Sequence, residues 1–327
     1  MTAVDWASLV LTGGSTAERW QTLFDGVADL AMSDVDPGEF EQALDSGDRL
    51  IADAAFDLWT EFPSAAPSSV AELQSWWGEG TGGSGRAVLV LDALSVREMH
   101  IILRVAAERG VTVTSSRVCG SAVPTDTQAF ASALGLSGRA QLKASGYGRN
   151  FVFASSKPWT DVSEGFDFGG LAGHVPPAPN VFLWDPWPDK LLHDSANRSS
   201  GPKHFAATVQ QVLRGDGFWK LVERLRQGRR VAITADHGYA VSHRFVDLPP
   251  GLGEKMRLQF GASRSGAVPS ALLHSPANPP LYMSVNGRAA VVGPWKWKSP
   301  GGYPHLNHGG LTLGEVCVPV ITFEAIS

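Results

Sequence analysis

Asp236 and His237 stand side by side just past the apolar run Arg230–Thr234. A carboxylate beside a neutral imidazole at the rigid end of a buried strand suits a divalent cation. Three other segments offer matching donors. Asp92 directly follows the apolar run Ala87–Leu91. Asp189 and His193 are spaced Asp-x-x-x-His, which puts both side chains on one face of a helical turn, where they can chelate one ion. His308 lies in a turn before the last apolar run, with Gly309 and Gly310 permitting close backbone approach. Together these donors outline a two-metal site of the kind that carries phosphoryl transfer. Each also has an ordinary reading, as a strand end, a helix cap or a solvated face, and Asp185 and His305 compete with Asp189 and His308.

A nucleophile is on offer at Thr127, where the loop Pro124–Asp126 meets a predicted helix. A threonine in such a place is by default an N-cap. A hydroxyl there is nevertheless well placed for phosphate chemistry, because free backbone N–H groups and the positive dipole end attract the anion. A neighbouring cation would lower the hydroxyl pKa. Cap and nucleophile can be the same residue.

The elements that must position these groups are legible as apolar runs. Strands are expected at Ala87–Leu91, Val111–Thr114, Phe151–Ala154, Val181–Trp184, Arg230–Thr234 and Cys317–Thr322, alternating with helices at Val96–Arg109, Thr127–Leu134 and Phe205–Gln227. That alternation predicts an α/β fold, a mostly parallel sheet with helices on both faces and ligands beyond the carboxyl ends of its strands. Residues 1–78 read as amphipathic helices without catalytic residues, 79–85 as a glycine-rich linker, and 86–327 as the domain that holds the donors. Glycines 80, 82 and 85 match the dinucleotide-binding pattern only formally, since they precede the strand instead of following it.

With 327 residues and 43% hydrophobic content the chain can bury a full core. Its net charge of −5 and pI near 6.0 exclude a protein coated in basic residues, so a polyanion must be gripped locally. Two cysteines, Cys119 and Cys317, offer no disulfide framework or thiolate cluster, which fits a cytoplasmic location. No signal segment and no run of roughly 20 apolar residues suggests export or a membrane anchor.

With these residues in place, residues 86–327 resemble the PglZ family, a branch of the alkaline phosphatase superfamily. The resemblance rests on Asp92–Leu94 after an apolar strand, Pro124–Thr127, Asp189–His193, Thr234–Gly238, and His308–Pro319, in that order. It implies an alkaline-phosphatase-like fold, with Asp189, His193 and His308 on one metal, Asp92, Asp236 and His237 on the other, and Thr127 as nucleophile. Both ions are expected to be zinc, with manganese as a substitute, given the mixture of nitrogen and oxygen donors. Ser95 stands where such sequences often carry arginine, and reads as a helix N-cap or a fallback nucleophile.

The expected function is a metal-dependent phosphohydrolase, most simply a phosphodiesterase acting on nucleotides or single-stranded nucleic acid. Residues 240–300 break the alternation and carry Arg244, Lys255, Arg257 and Arg264, candidate substrate-binding groups, along with Trp295 and Trp297 for stacking. The same residues also read as a solvated surface around a structural tryptophan pair. Serine-hydrolase and P-loop chemistry lack their motifs. The alternative is a partner-dependent or non-catalytic module of an anti-phage assembly, as PglZ-like proteins often are, with a structural metal site. The N-terminal helices, through Trp76 and Trp77, would then dock another protein.

Overall fold

Strand β1 (Gly85–Leu91) is buried from Arg86 onward and serves two cores at once. Ala87, Leu89 and Leu91 point into one, Val88 and Val90 into the other. A continuous apolar run is therefore what this position demands, because both faces of the strand are covered. The computed structural model describes residues 4–11, 13–33, 35–79, 83–165, 167–268 and 280–327.

Six strands form the main sheet: β1, β2 (Val113–Gly120), β3 (Trp159–Val162), β4 (Asn180–Asp185), β5 (Arg229–Thr234) and the last strand, Cys317–Phe323. Their order is β2, last strand, β5, β1, β4, β3. The pairs among β5, β1, β4 and β3 are parallel, and the last strand runs antiparallel to both β5 and β2. The fold is thus mixed α/β with a mostly parallel central sheet, as expected.

Two expectations along this alternation need correction. Phe151–Ala154 is not a strand. Val152 N–H is captured by the Leu134 carbonyl at 3.0 Å, and Phe151 and Phe153 pack on Phe182 from a loop, so their alternation marks an aromatic cluster and the edge strand follows at β3. The single helix expected over Phe205–Gln227 is two, α10 (Gly201–Arg214) and α11 (Asp216–Arg226), broken where Gly215 takes an extended conformation.

The N-terminal residues fold into helices α1 (Trp6–Leu11), α2 (Thr16–Met32), α3 (Pro37–Ala54), α4 (Phe56–Ala65) and α5 (Ser69–Gly78). Trp20, Phe24, Trp59 and Phe62 form an aromatic nest within one core shared with α6 (Val96–Glu108) and the sheet, while α5 joins the core on the other face. Residues 80–82 of the expected linker lie outside the described residues. Gly85 belongs to β1, where a Cβ would meet the Pro179 carbonyl at 1.8 Å, so that glycine answers to a close backbone approach.

Beyond β5, a third core of Leu248, Met256, Phe260, Ala289, Val291 and Trp297 lies under helix α12 (Pro250–Phe260) and a small antiparallel sheet of Ser265–Ala267, Arg288–Val291 and Tyr282–Val285. Among the described residues no helix is long and apolar enough to cross a membrane.

Candidate metal centre

Three sheet strands deliver the carboxylates from their carboxyl ends. Asp92 leaves β1, Asp185 closes β4, and Asp236 lies two residues past β5. Register fixes them relative to one another: Leu91 is paired with Asp185, Asp92 N–H donates to the Asp185 carbonyl at 3.0 Å, and Asp189 N–H donates to the Asp92 carbonyl at 3.0 Å. Helix α9 (Asp189–Ser195) then sets Asp189 and His193 one turn apart, with His193 Nε2 3.3 Å from Asp189 Oδ2.

Asp185 is not grouped with the other donors, and its hydrogen bonds lie elsewhere. Its oxygens accept from the Ser163 hydroxyl and from Trp187 N–H, and it is 1% exposed. Asp189 Oδ1, in contrast, is buried and has no hydrogen-bond partner. His308, not His305, joins the cluster, its Nε2 3.3 Å from His193 Nε2 and 3.6 Å from Asp189 Oδ1.

His237 and His308 are held alike. The Nδ1 of His237 lies 2.8 Å from the Gly238 carbonyl, and that of His308 3.2 Å from the Thr125 carbonyl. A carbonyl only accepts, so each Nδ1 carries the proton and each Nε2 presents a lone pair. His237 Nε2 is buried without a partner, 3.5 Å from Asp92 Oδ1 and 3.7 Å from Asp236 Oδ2.

Two sets of donor atoms each lie within 4.8 Å of one another: Asp189, His193 and His308, and Asp92, Asp189 and His237. The first matches the trio implied by the PglZ resemblance. The second differs from it, taking Asp189 where Asp236 was expected. Asp236 instead accepts Ala93 N–H and His237 N–H on Oδ1, both at 3.0 Å, and the Thr127 hydroxyl on Oδ2 at 3.0 Å.

Thr127 opens helix α7 (Thr127–Ala133) but does not cap it. Asp126 is the N-cap, in extended conformation and accepting Ala129 N–H at 3.0 Å. Cap and candidate nucleophile are therefore neighbours, which leaves Thr127 Oγ1 to face Asp236 at 3.0 Å and both Asp92 oxygens at 3.4 Å. Ser95 is an N-cap, in a reciprocal capping box with Glu98 at the start of α6.

Charge makes the case for cations. Asp92, Asp236 and His237 have no solvent exposure, and buried carboxylates are costly unless paired. Burial pushes the Asp189 carboxyl up, but the hydrogen bond from His193 and the nearby imidazoles outweigh it and hold it at about 2. Burial beside the His237 ring lowers His308 to about 4, so it is a neutral donor at physiological pH. The hydrogen bond to Asp189 raises His193. Among the described residues Arg139 is the cation paired with this cluster, through Nη1 to Asp92 Oδ2, with its guanidinium carbon 5.9 Å from the centre of the Trp184 ring. Sequence reasoning missed Arg139, which sits in no motif. The orphaned Asp189 Oδ1 and His237 Nε2, and a donor set of carboxylates and imidazole nitrogens, fit divalent ions.

The basic residues expected to grip substrate are not gathered here. Arg264 is fully buried, with Nε 2.8 Å from Glu315 Oε1 and Nη2 bonded to the Gly293 carbonyl and to Glu315 Oε2. Arg244 Nη2 turns to the Gly38 carbonyl of α3, and Arg257 pairs with Glu254 on α12. Lys255 is exposed on α12, among none of the contacts of the cluster. Trp297 is buried and donates its indole N–H to the Gly261 carbonyl at 2.7 Å, which makes it a core residue and not a stacking platform. Trp76 is buried as well, and Trp77 packs on Phe153 with ring centroids 4.7 Å apart, so neither offers an open docking face.

No family model matches the sequence, and no curated protein does. Solved structures with a similar trace include murine ectonucleotide pyrophosphatase/phosphodiesterase 5, as an inactive variant in complex with AMP, at 12% identity, with a TM-score of 0.46 and 74% of this chain and 88% of that chain covered. A second structure of the same murine protein gives 11% identity, a TM-score of 0.43 and the same coverage. Phosphonoacetate hydrolase from Sinorhizobium meliloti, in complex with phosphonoacetate, gives 11% identity and a TM-score of 0.38 over 75% of this chain and 91% of that chain. Scores this low bear no weight on what this chain does.

Proposed function

We propose that the chain is a metal-dependent phosphoester hydrolase of the PglZ type, with Thr127 as its nucleophile. The observation that carries this is Thr127 Oγ1 within 3.0 Å of Asp236 Oδ2 and 3.4 Å of both Asp92 oxygens, beside two clusters of carboxylates and imidazole nitrogens. Asp92, Asp189, His193, His237 and His308 would hold two divalent ions, zinc by donor chemistry and manganese as a substitute. When bound, these ions supply the positive charge that lowers the hydroxyl pKa and offsets charge on the phosphoryl oxygens.

The chain's own groups do the rest. Asp236 Oδ2 accepts the Thr127 hydroxyl hydrogen bond, orients Oγ1 and is placed to receive its proton as the Oγ1–P bond forms. The bond from phosphorus to the leaving oxygen breaks, and water then hydrolyses the phosphorylated threonine. Asp126, by capping α7, keeps the Thr127 side chain out of helix capping and available for attack. Arg139, bonded to Asp92, stands at the same carboxylate as the nucleophile and can turn its other N–H donors to phosphoryl oxygens. A nucleotide or nucleic-acid diester is the substrate class we favour. Turnover of bis-para-nitrophenyl phosphate against para-nitrophenyl phosphate, with zinc or manganese added, tests that choice; preference for the monoester would reverse it.

A further inference from the structure

Helix α3 lies outside the metal centre, yet two of its side chains reach the segments that build it. Asp48 Oδ1 accepts the Leu313 N–H at 2.7 Å. Leu313 opens the short helix α13 (Leu313–Val316), and Glu315 within that turn serves both imidazoles. The Glu315 carbonyl accepts Gly238 N–H at 2.9 Å, and its Oε1 accepts Gly310 N–H at 2.9 Å. Gly238 is the residue whose carbonyl accepts the hydrogen bond from His237 Nδ1–H. The Gly310 carbonyl accepts from the Thr125 hydroxyl at 2.8 Å, and the Thr125 carbonyl accepts from His308 Nδ1–H. Seven residues before Asp48 on α3, Glu41 grips Arg97 with bonds of 2.5 and 2.9 Å, and Arg97 Nη1 donates to the carbonyl of Tyr239, two residues past His237, at 2.8 Å.

We propose that Asp48 is a positioning residue for the metal centre: by fixing α13 it sets where His237 and His308 present Nε2, so the N-terminal helices are part of the site's scaffold and not a separable docking module. The inference rests on the metal-centre reading above. Closeness leaves little slack in the relay, since a Cβ on Gly238 would meet the Gly314 carbonyl at 2.4 Å and one on Gly47 would meet Leu313 Cδ1 at 2.8 Å. A small shift of α13 is therefore passed on to Gly238 and the ring beside it. Asp48 is 4% exposed, and burial pushes its carboxyl well up, so the neutral amide of asparagine is its nearest mimic.

The test is the zinc affinity of the full chain, by competition with a chromogenic chelator, in wild type, Asp48→Asn, Asp48→Ala and Asp48→Leu, with urea unfolding of the metal-free proteins alongside. Asparagine keeps the acceptor for Leu313 N–H and should bind zinc as wild type does. Alanine and leucine remove it and should weaken binding about tenfold, the low end for loss of an outer-shell partner. Leucine refills the volume, so it keeps the test alive if the alanine variant does not fold. Wild-type affinity in Asp48→Leu would overturn the proposal, as would an asparagine variant as weak as the leucine one. A wild-type chain that binds no zinc would instead remove the metal-centre reading itself.

Discussion

The rings of His237 and His308 stack with centroids 4.2 Å apart and planes 13° from parallel, although one follows strand β5 and the other lies in the loop before α13. Two imidazolium ions would repel at that separation, whereas two neutral rings, each with Nδ1–H on a carbonyl, leave both Nε2 lone pairs for metal. Of His193, raised by Asp189, and His308, lowered by burial, His193 is protonated first, and the buried carboxylates are left with an unmet need for positive charge.

Chelation should expose that need. Removing metal with EDTA leaves Asp92, Asp189 and Asp236 in mutual repulsion, with Arg139 paired to one of them. Adding zinc at a hundredfold excess over its Kd should stabilise the fold by about 2.7 kcal/mol for each site filled, the mass-action value. Differential scanning calorimetry with and without zinc measures it, and an unchanged Tm would contradict the assignment.

Proton competition gives a second outcome. His193 is raised above its usual 6.5 by its bond to Asp189, so metal must displace its proton below that folded value. Zinc affinity should fall about tenfold per pH unit there, the slope for one displaced proton. His308, lowered to about 4, adds nothing until far more acid conditions. In the metal-free chain the sign is opposite: a raised histidine pKa contributes stability that is complete below 6.5 and lost as pH rises through the folded value. Titration calorimetry in buffers of different ionisation enthalpy counts the protons released, and none at pH 6 would refute the pairing.

Arg264 and Glu315 form a pair with no solvent exposure on either side chain. Breaking a buried pair by removing one partner costs about 3–5 kcal/mol. Arg264→Met should lose that much in urea unfolding and, because Glu315 also holds Gly310 N–H, should weaken zinc binding. A stable variant with only a raised KM would return Arg264 to the role of a substrate contact.

For Arg139 the expectation is reversed: its side chain is 29% exposed and contacts the carboxylate beside the nucleophile. Arg139→Ala should keep both metals and its fold, while turnover falls about a hundredfold, as for loss of one transition-state donor. Metal analysis with steady-state kinetics separates this from a ligand defect; lost metal would show that the arginine only supports Asp92.

Much of this was legible because chemistry and burial coincide along the chain. Apolar runs ending in Asp92 and Asp236 are strands covered on both faces, and Asp189 and His193 needed only helical spacing to meet. What the sequence concealed depends on long-range partners. Arg264 resembles a substrate-binding residue until Glu315, far along the chain, is seen to bury it. Thr127 reads as the helix cap until backbone geometry gives that place to Asp126. Gly215 breaks a helix whose apolar period runs on across the break, and Phe151 and Phe153 mimic a strand because a loop can also present every second residue to a core.

The nucleophile is the centre of the account, and hydrolysis of bis-para-nitrophenyl phosphate by the zinc-loaded chain and its Thr127→Ala variant tests it most directly. The variant should keep the wild-type metal content and lose turnover by at least about a thousandfold, as expected when a group acting in the covalent step is removed. Metal-loaded Thr127→Ala that turns over at the wild-type rate would contradict it.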